Sequence, residues 1–364
     1  MKLNKIYLQS FRNLQETMLM PAQHFNIFYG NNGQGKTNLL ESIFIMATMK
    51  SFKTARSSDL VRWGAISSLL KGWVERDGVT REIAVFLDNQ GKKIRVDQKA
   101  VTRIDDFFGH LNVVVFTPEE VNMVKGLPEL RRKYLDRAVF SSDITYLSVY
   151  HAYSKILKNR NMLLKRGEKA SFDIWTEKLV EQGKNIILSR LAYLDALRDL
   201  LKRFYREISG NEEAVDISYR PYHMDLADCR GDVADAFAEA LAKTATEEER
   251  RGTTLAGPHR DDVEFILNGR PLKQFGSQGQ QKSYVLALKM AETEYLQKKF
   301  HSQPIFLLDD LSSELDQERK KNLMEFLKKR DMQVFITTTS LQNINVDEIE
   351  NYRTYRIEEG KVLH

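Results

Sequence analysis

Phe25-Asn26-Ile27-Phe28-Tyr29-Gly30-Asn31-Asn32-Gly33-Gln34-Gly35-Lys36-Thr37 is an apolar run that ends in a glycine-rich loop and passes into a helical pattern from Asn38 to Met49. The loop has the spacing G-x-x-x-x-G-K-[ST], and it lies between an expected strand and an expected helix, the context that this pattern needs. Its glycines let the backbone N–H groups of Gly30, Asn31, Asn32, Gly33, Gln34, Gly35 and Asn38 wrap a run of phosphates. Lys36 then neutralises the β and γ oxygens, Thr37 holds Mg²⁺, and the helix N-terminus adds its partial positive charge. The cofactors expected are ATP and Mg²⁺, with Lys36 also acting in catalysis.

Outward from this loop the chain reads as α/β. A strand from Lys2 to Gln9 and a turn at Arg12-Asn13 precede the apolar run. Residues Leu69 to Val101 alternate apolar and polar, with turn signals at Asp77-Gly78 and Asn89-Gln90-Gly91, which predicts an antiparallel β-meander. A strand from Asn112 to Phe116 leads into Thr117-Pro118-Glu119-Glu120, a helix start with proline at the first position. The pattern is helical to about Gly210 and again from Asp232 to Arg251. A hairpin follows around Val263 to Leu267, then a helix from about Gln281, a strand Ile305 to Leu308, a helix near Asp316 to Lys329 and a strand Val334 to Thr337. The expected division is an ATPase lobe from 1–120 and 253–364, interrupted by a mainly helical second lobe at 121–252.

The strand Ile305-Phe306-Leu307-Leu308 ends in Asp309-Asp310, two carboxylates delivered to the edge of the sheet. Asp309 is the expected metal ligand. Asp310, pointing the other way along the pleat, is the expected general base for the attacking water. About thirty residues upstream, Phe275-Gly276-Ser277-Gln278-Gly279-Gln280-Gln281 resembles the S-x-G-Q signature of ABC ATPases. That resemblance implies that Ser277, Gly279 and Gln280 bind the γ-phosphate of an ATP held by a second subunit, so that ATP drives homodimerisation. Glutamate is the usual second acid in ABC ATPases, and the aspartate here implies slow turnover. Ser312-Ser313-Glu314-Leu315-Asp316 stands where such proteins carry their D-loop. Ile336-Thr337-Thr338-Thr339 takes the place of the switch histidine, leaving open whether a threonine meets the γ-phosphate.

The chain has 364 residues, 42% hydrophobic and 29% charged, with a formal net charge of +5, so it has the composition of a folded protein with a mild preference for anionic partners. A lone cysteine, Cys229, excludes an intrachain disulfide and fits a reducing cytoplasmic setting. No apolar run has the length of a membrane span, and the N-terminal residues lack the apolar core of a signal peptide.

Pro118-Glu119-Glu120 through Gly126-Leu127-Pro128-Glu129-Leu130-Arg131-Arg132-Lys133-Tyr134-Leu135-Asp136 resembles the pattern of the RecF family around its paired arginines. Thr254-Leu255-Ala256-Gly257-Pro258-His259-Arg260-Asp261-Asp262 and Leu308 to Asp316 resemble segments of the same family. The resemblance implies an SMC-like ABC-ATPase head with no long coiled coil. It further implies a weak, DNA-stimulated ATPase whose ATP-dependent dimer binds double-stranded DNA near gaps and works with RecR and RecO in loading RecA, in DNA replication, repair and recombination. The second lobe is itself far too short for the heptad-patterned arm of an SMC protein.

Lys50, Lys53 and Arg56, set among Ser51, Thr54, Ser57 and Ser58, are the first candidates for DNA contact, followed by Arg131 and Arg132. No base-reading motif occurs, so contact is expected with the backbone and to be salt-sensitive. Three other readings stay open. A nucleotide-binding subunit of a transporter would dock its helical insert on membrane partners, a kinase-like P-loop enzyme would act as a monomer, and a scaffold would bind ATP without hydrolysing it.

Overall fold

The computed structural model describes residues 1–54, 56–103, 106–168, 171–210, 212–224, 232–310, 317–344 and 351–363. Cys229 and the D-loop segment Ser312 to Asp316 lie outside these. The chain divides into two compact units: 1–121 with 204–211 and 278–364, and 122–203 with 212–277.

The first unit holds two six-stranded sheets. One is antiparallel, built from β1 (Lys2–Phe11), β2 (Leu14–Leu19), β4 (Ser68–Arg76), β5 (Val79–Asp88), β6 (Gly91–Val96) and β7 (Lys99–Ala100) in the order β2-β1-β4-β5-β6-β7. The other runs β15-β14-β3-β13-β12-β8 and comprises β3 (Phe25–Tyr29), β8 (Val113–Phe116), β12 (Ile305–Leu308), β13 (Val334–Thr338), β14 (Tyr352–Glu358) and β15 (Lys361–Leu363). Its strands are parallel except for the antiparallel edge pair of β14 and β15. VVVF, IFLL and VFITT are buried at every position, as strands covered on both faces must be. The helix α1 (Lys36–Thr48) packs its Leu39, Leu40, Ile43 and Ile45 into a core shared with the inward residues of the antiparallel sheet.

α2 (Pro118–Lys125) opens directly after β8. In the second unit α3 (Pro128–Ser142), α4 (Thr145–Arg166), most of α5 (Phe172–Ser209) and α6 (Val233–Arg251) accompany a small sheet of β9 (Val215–Arg220), β10 (Asp262–Leu267) and β11 (Arg270–Pro271) in the order β11-β10-β9. The longest of these helices, α5, has 38 residues, so among the described residues there is no long coiled coil. α7 (Leu272–Phe275) is a single turn before α8 (Gln278–Phe300), which with α9 (Gln317–Lys328) belongs to the first unit. Among the described residues no helix is long and apolar enough to cross a membrane.

The boundaries differ from the sequence-based ones in two places. Residues 253–277 group with the second unit rather than with the ATPase lobe, because β10 pairs with β9 over six positions from Asp262↔Arg220 to Leu267↔Val215. Conversely, the last turns of α5 from Phe204 belong to the first unit, where Phe204 meets Phe326 edge-on at 5.2 Å. β2, β9 and the C-terminal hairpin of β14 and β15 carry no apolar run that marks them in the sequence.

Candidate functional site

The loop between β3 and α1 is shaped by three neighbours. Gly30 has φ 143, and a Cβ there would lie 2.4 Å from the Ile357 carbonyl oxygen of β14, so the adjacent strand admits only glycine. Gly35, at φ 115, faces the Asn13 side chain, which a Cβ would meet at 2.7 Å. Asn13 Nδ2 donates to the Gln34 carbonyl at 3.0 Å, and its Oδ1 accepts from Asn38 Nδ2 at 2.8 Å. The Gly360 amide, in the turn between β14 and β15, donates to the same Gln34 carbonyl at 3.0 Å. The turn after β1 and the C-terminal hairpin thus both hold the loop open.

Lys36 Nζ donates to the carbonyls of Gly30 at 2.7 Å and Asn31 at 2.8 Å, so the ammonium sits inside the loop it belongs to. Burial lowers its pKa, with the carboxylates of Asp310 and Asp309 opposing the shift. The register that aligns Leu308 with Phe116 on one side and Ile336 on the other sets Asp309 at the C-terminal edge of the parallel sheet. There its Oδ1 accepts from Thr37 Oγ1 at 2.9 Å and from Thr337 Oγ1 at 2.7 Å. Burial raises the Asp309 pKa, and these two hydroxyls act against that rise. Converging hydroxyl and carboxylate oxygens beside a lysine are the donor set that suits a hard dication next to phosphate, so the residues fit Mg²⁺ and a nucleoside triphosphate.

Asp310 is oriented otherwise than the pleat alternation predicts. β12 ends at Leu308, and Asp310 lies beyond it at φ 51, with its amide donating to Thr337 Oγ1 at 2.8 Å. Its direction is therefore set by a left-handed turn pinned to β13, not by the strand. At the switch position the hydroxyl of Thr337 bridges Asp309 and Asp310. Nothing in the sequence distinguished it from Thr338 and Thr339; only the β12–β13 register does.

Ser277 precedes α8, which begins at Gln278, three residues before the expected start, and so places Gly279 and Gln280 in its first turn. A Cβ on Gly279 would meet the guanidinium of Arg319 at 3.3 Å. Arg319, a cation at the signature helix, was missed because in the sequence it reads as one of several charges opening α9. Glu119 was read only as part of a helix start, yet its charge acts on both Asp309 and Lys53.

The basic candidates separate. Lys50 and Arg56 are exposed. Lys53 turns its Nζ back to Asn38 Oδ1 at 3.1 Å, and its pKa is lowered by desolvation, against the charges of Glu41 and Asp309. Its loop is tied down by Ser51 and Arg12, both bound to the buried Glu41. Arg131 is a correction: it is buried, its Nε and Nη2 engage both Asp262 oxygens at 2.7 and 2.8 Å, and Nη1 donates to the Met123 and Gly126 carbonyls. It braces α3 and cannot reach a DNA phosphate. Arg132 donates to the Asp261 carbonyl at 2.7 Å and remains half-buried.

In the second unit the segment Thr254 to Asp262 forms a buried polar network. Arg190 donates to Asp136 Oδ1 at 2.6 Å and to the Pro258 carbonyl at 2.7 Å. Asp261 accepts from Tyr219 Oη and from the Tyr222 amide, and burial raises its pKa to about 6. His259 Nδ1 lies 2.7 Å from Tyr153 Oη and Nε2 lies 3.2 Å from the Thr254 carbonyl; burial lowers its pKa to about 4. These contacts stiffen the lobe.

The sequence profile of the RecF/RecN/SMC N terminal domain matches residues 2–362. The DNA replication and repair protein RecF of Geotalea uraniireducens (strain Rf4) is 68% identical over 364 residues, covering 100% of both chains. That of Geobacter sp. (strain M21) is 60% identical, again over 100% of both. Solved structures of the recombination mediator protein RecF in the RecFOR pathway, as RecF-ATPrS and RecF-ATP, match with TM-scores of 0.89 and 0.90 at 33% and 32% identity. They cover 99% and 100% of this chain and 97% of each solved chain. An Smc head bound to the C-winged helix domain of ScpA matches at a TM-score of 0.58 and 15% identity, a likeness of fold.

Proposed function

The chain belongs to the RecF family of SMC-like ABC ATPases, and from that premise we propose that it is an ATP-dependent DNA-binding recombination mediator whose ATP-bound form is a homodimer. The observation that carries the reading is the convergence of Thr37 and Thr337 on Asp309 at the C-terminal edge of the parallel sheet, with Lys36 held by the adjoining loop and within the field of Asp310 and Asp309. The loop amides and Lys36, whose ammonium is held inside the loop by the Gly30 and Asn31 carbonyls, would bind the triphosphate. Mg²⁺, when bound, supplies the charge that offsets the β and γ oxygens. Thr37 and Asp309 are its protein ligands, and Thr337 fixes the Asp309 carboxylate. Asp310 orients the attacking water as general base, and its short side chain on a turn goes with slow, DNA-stimulated hydrolysis. Ser277, Gly279 and Gln280 serve the nucleotide of the second copy, which couples ATP to dimerisation. The partners that go with this reading are double-stranded DNA near gaps and, by family, RecR and RecO in the loading of RecA.

Molar mass in solution with ATP, with ADP and with neither tests the reading, alongside Lys36→Ala and Ser277→Arg. A dimer with ATP alone, absent in both variants, is the expected result. A monomer that hydrolyses ATP would refute the composite site.

A further inference from the structure

In the second unit the turn Gly257-Pro258-His259-Arg260 is closed by the Arg260 amide, which donates to the Gly257 carbonyl at 2.8 Å. Gly257 stands at φ 119, where a Cβ would lie 2.5 Å from the Phe237 ring and 2.8 Å from Tyr153 Oη, so only glycine fits. The Pro258 carbonyl is held by the buried Arg190. The Thr254 carbonyl beside His259 Nε2 can only accept, so that nitrogen carries the proton and Nδ1 accepts from the buried Tyr153 hydroxyl. Groups beneath the turn therefore fix it, while Arg260 is exposed at its tip. Arg132 of α3 comes up beside it, half-buried, and donates to the Arg260 and Asp261 carbonyls at 3.4 and 2.7 Å. The Arg260 guanidinium lies back over the turn, with Nε and Nη2 each 3.4 Å from the Thr254 carbonyl.

The carboxylates around this pair are already matched. Asp262 is held through both oxygens by Arg131, Asp136 by Arg190, Glu129 by Lys133 and Glu264 by Arg220. Asp261 accepts from Tyr219 Oη and the Tyr222 amide. Arg132 and Arg260 have backbone carbonyls alone, so two full charges stand side by side with no carboxylate of their own among the described residues. Both charges reach His259 and help to lower its pKa, which burial lowers most. Burial also lowers the pKa of Arg132, and the Arg190 charge adds to that. Like charges held this close repel until an anion comes between them. One guanidinium fork satisfies a carboxylate, as Arg131 does for Asp262, whereas phosphate oxygens accept from donors arriving on different sides. Two guanidiniums, one from a helix and one from a braced turn, suit the phosphate.

We propose that Arg260, at the tip of this turn, and Arg132 of α3 form a cradle for a backbone phosphate of DNA on the second unit. The inference rests on the DNA-binding reading and adds to it a phosphate site apart from the segment that carries Lys50, Lys53 and Arg56. The buried network under the turn then has a purpose beyond stiffness: it holds the Arg260 backbone in place before the ligand arrives, so little order is lost on binding. The cradle touches no base, so its contribution is independent of DNA sequence and falls with salt.

The test uses the full chain with a non-hydrolysable ATP analogue and Mg²⁺, so that the nucleotide loop is filled. Affinity for a labelled blunt duplex is followed by fluorescence anisotropy at increasing salt, and binding of inorganic phosphate by calorimetry. Arg260→Ala should weaken duplex binding about tenfold and lower the slope of log affinity against log salt by about one. Its urea midpoint should stay that of the native chain, because the Arg260 side chain makes only the two long contacts to Thr254. Arg260→Lys keeps the charge without the fork and should retain the slope while losing part of the affinity. Unchanged affinity and slope in Arg260→Ala overturn the cradle and leave the DNA-binding reading standing. If inorganic phosphate then binds the native chain and not that variant, the anion held is free phosphate and not DNA. Weaker duplex binding with a lowered urea midpoint also overturns the cradle, since Arg260 would then brace the turn. If the native chain binds no duplex, the DNA-binding reading fails together with the cradle.

Discussion

Replacing Thr337 by valine keeps the volume of a side chain that is 1% exposed and removes its hydroxyl. That oxygen donates to the Asp309 carboxylate at 2.7 Å and accepts from the Asp310 amide at 2.8 Å. A buried hydrogen bond to a charged group is worth about 1.5 to 3 kcal/mol, and taking the acceptor from a buried amide costs about 1 to 3 kcal/mol, so the change should destabilise the first unit by about 3 kcal/mol. The nucleotide-free protein is the right sample, because bound nucleotide would add its own stabilisation. Urea unfolding should show a lower midpoint for Thr337→Val, while Thr337→Ser, which keeps the hydroxyl, should stay within about 1 kcal/mol of the native chain. Losing one of two hydroxyl donors also lets burial raise the Asp309 pKa further, so the ionised carboxylate is lost at higher pH. The acid limb of ATP hydrolysis should therefore move to higher pH in the valine variant and not in the serine variant. Equal urea midpoints for the valine variant and the native chain would refute the argument, since the bridge would then carry no net energy.

Arg131→Ala should cost about 3 kcal/mol through the Asp262 carboxylate left behind, whereas Lys50→Ala and Arg56→Ala should leave urea stability within about 0.5 kcal/mol. If Arg131→Ala lowered DNA affinity without lowering stability, its assignment as a brace would be wrong. His259 has a folded pKa of about 4 against an ordinary 6.5, so the unfolded chain takes up the proton first and stability falls as pH drops through that window. His259→Gln removes the titration and should spare at most about 2 kcal/mol of the loss between about pH 7.5 and pH 5, an upper bound because the ring is partly exposed. Asp261, raised to about 6, acts with the opposite sign: its contribution weakens stability as pH rises from the ordinary carboxylate range through about 6. Comparison of variant and native chain at each pH isolates the histidine, and parallel curves would refute its role.

The elements with strong local signals were legible. Gly30 to Thr37, Ile305 to Asp310 and the alternation from Leu69 to Val101 each carry a pattern imposed by a single strand, turn or helix, so the nucleotide loop, the acid-bearing strand and the meander could be read directly. β2 and β9 were not, because short strands of mixed polarity become strands only when β1 and β10 offer a ladder to them. Arg131 was misjudged for a related reason. A cation in a sequence carries no mark of its partner, and Asp262 lies 131 positions away from Arg131.

By itself the sequence set out the chemistry of the proposed nucleotide site, because backbone-cradled phosphate, a lysine, a hydroxyl and an acid at a strand end must come at fixed local spacings. Its long-range geometry was decided by tertiary structure alone. Parallel strands bring together segments hundreds of residues apart, and the β12–β13 register is what chose Thr337 over its two neighbours to tie Asp309 to Asp310. The same holds for Arg132 and Arg260, which lie 128 positions apart in the chain. Each reads in the sequence as one cation among many, and only the packing of α3 beside the turn before β10 sets them next to one another while their acidic neighbours are held by other groups.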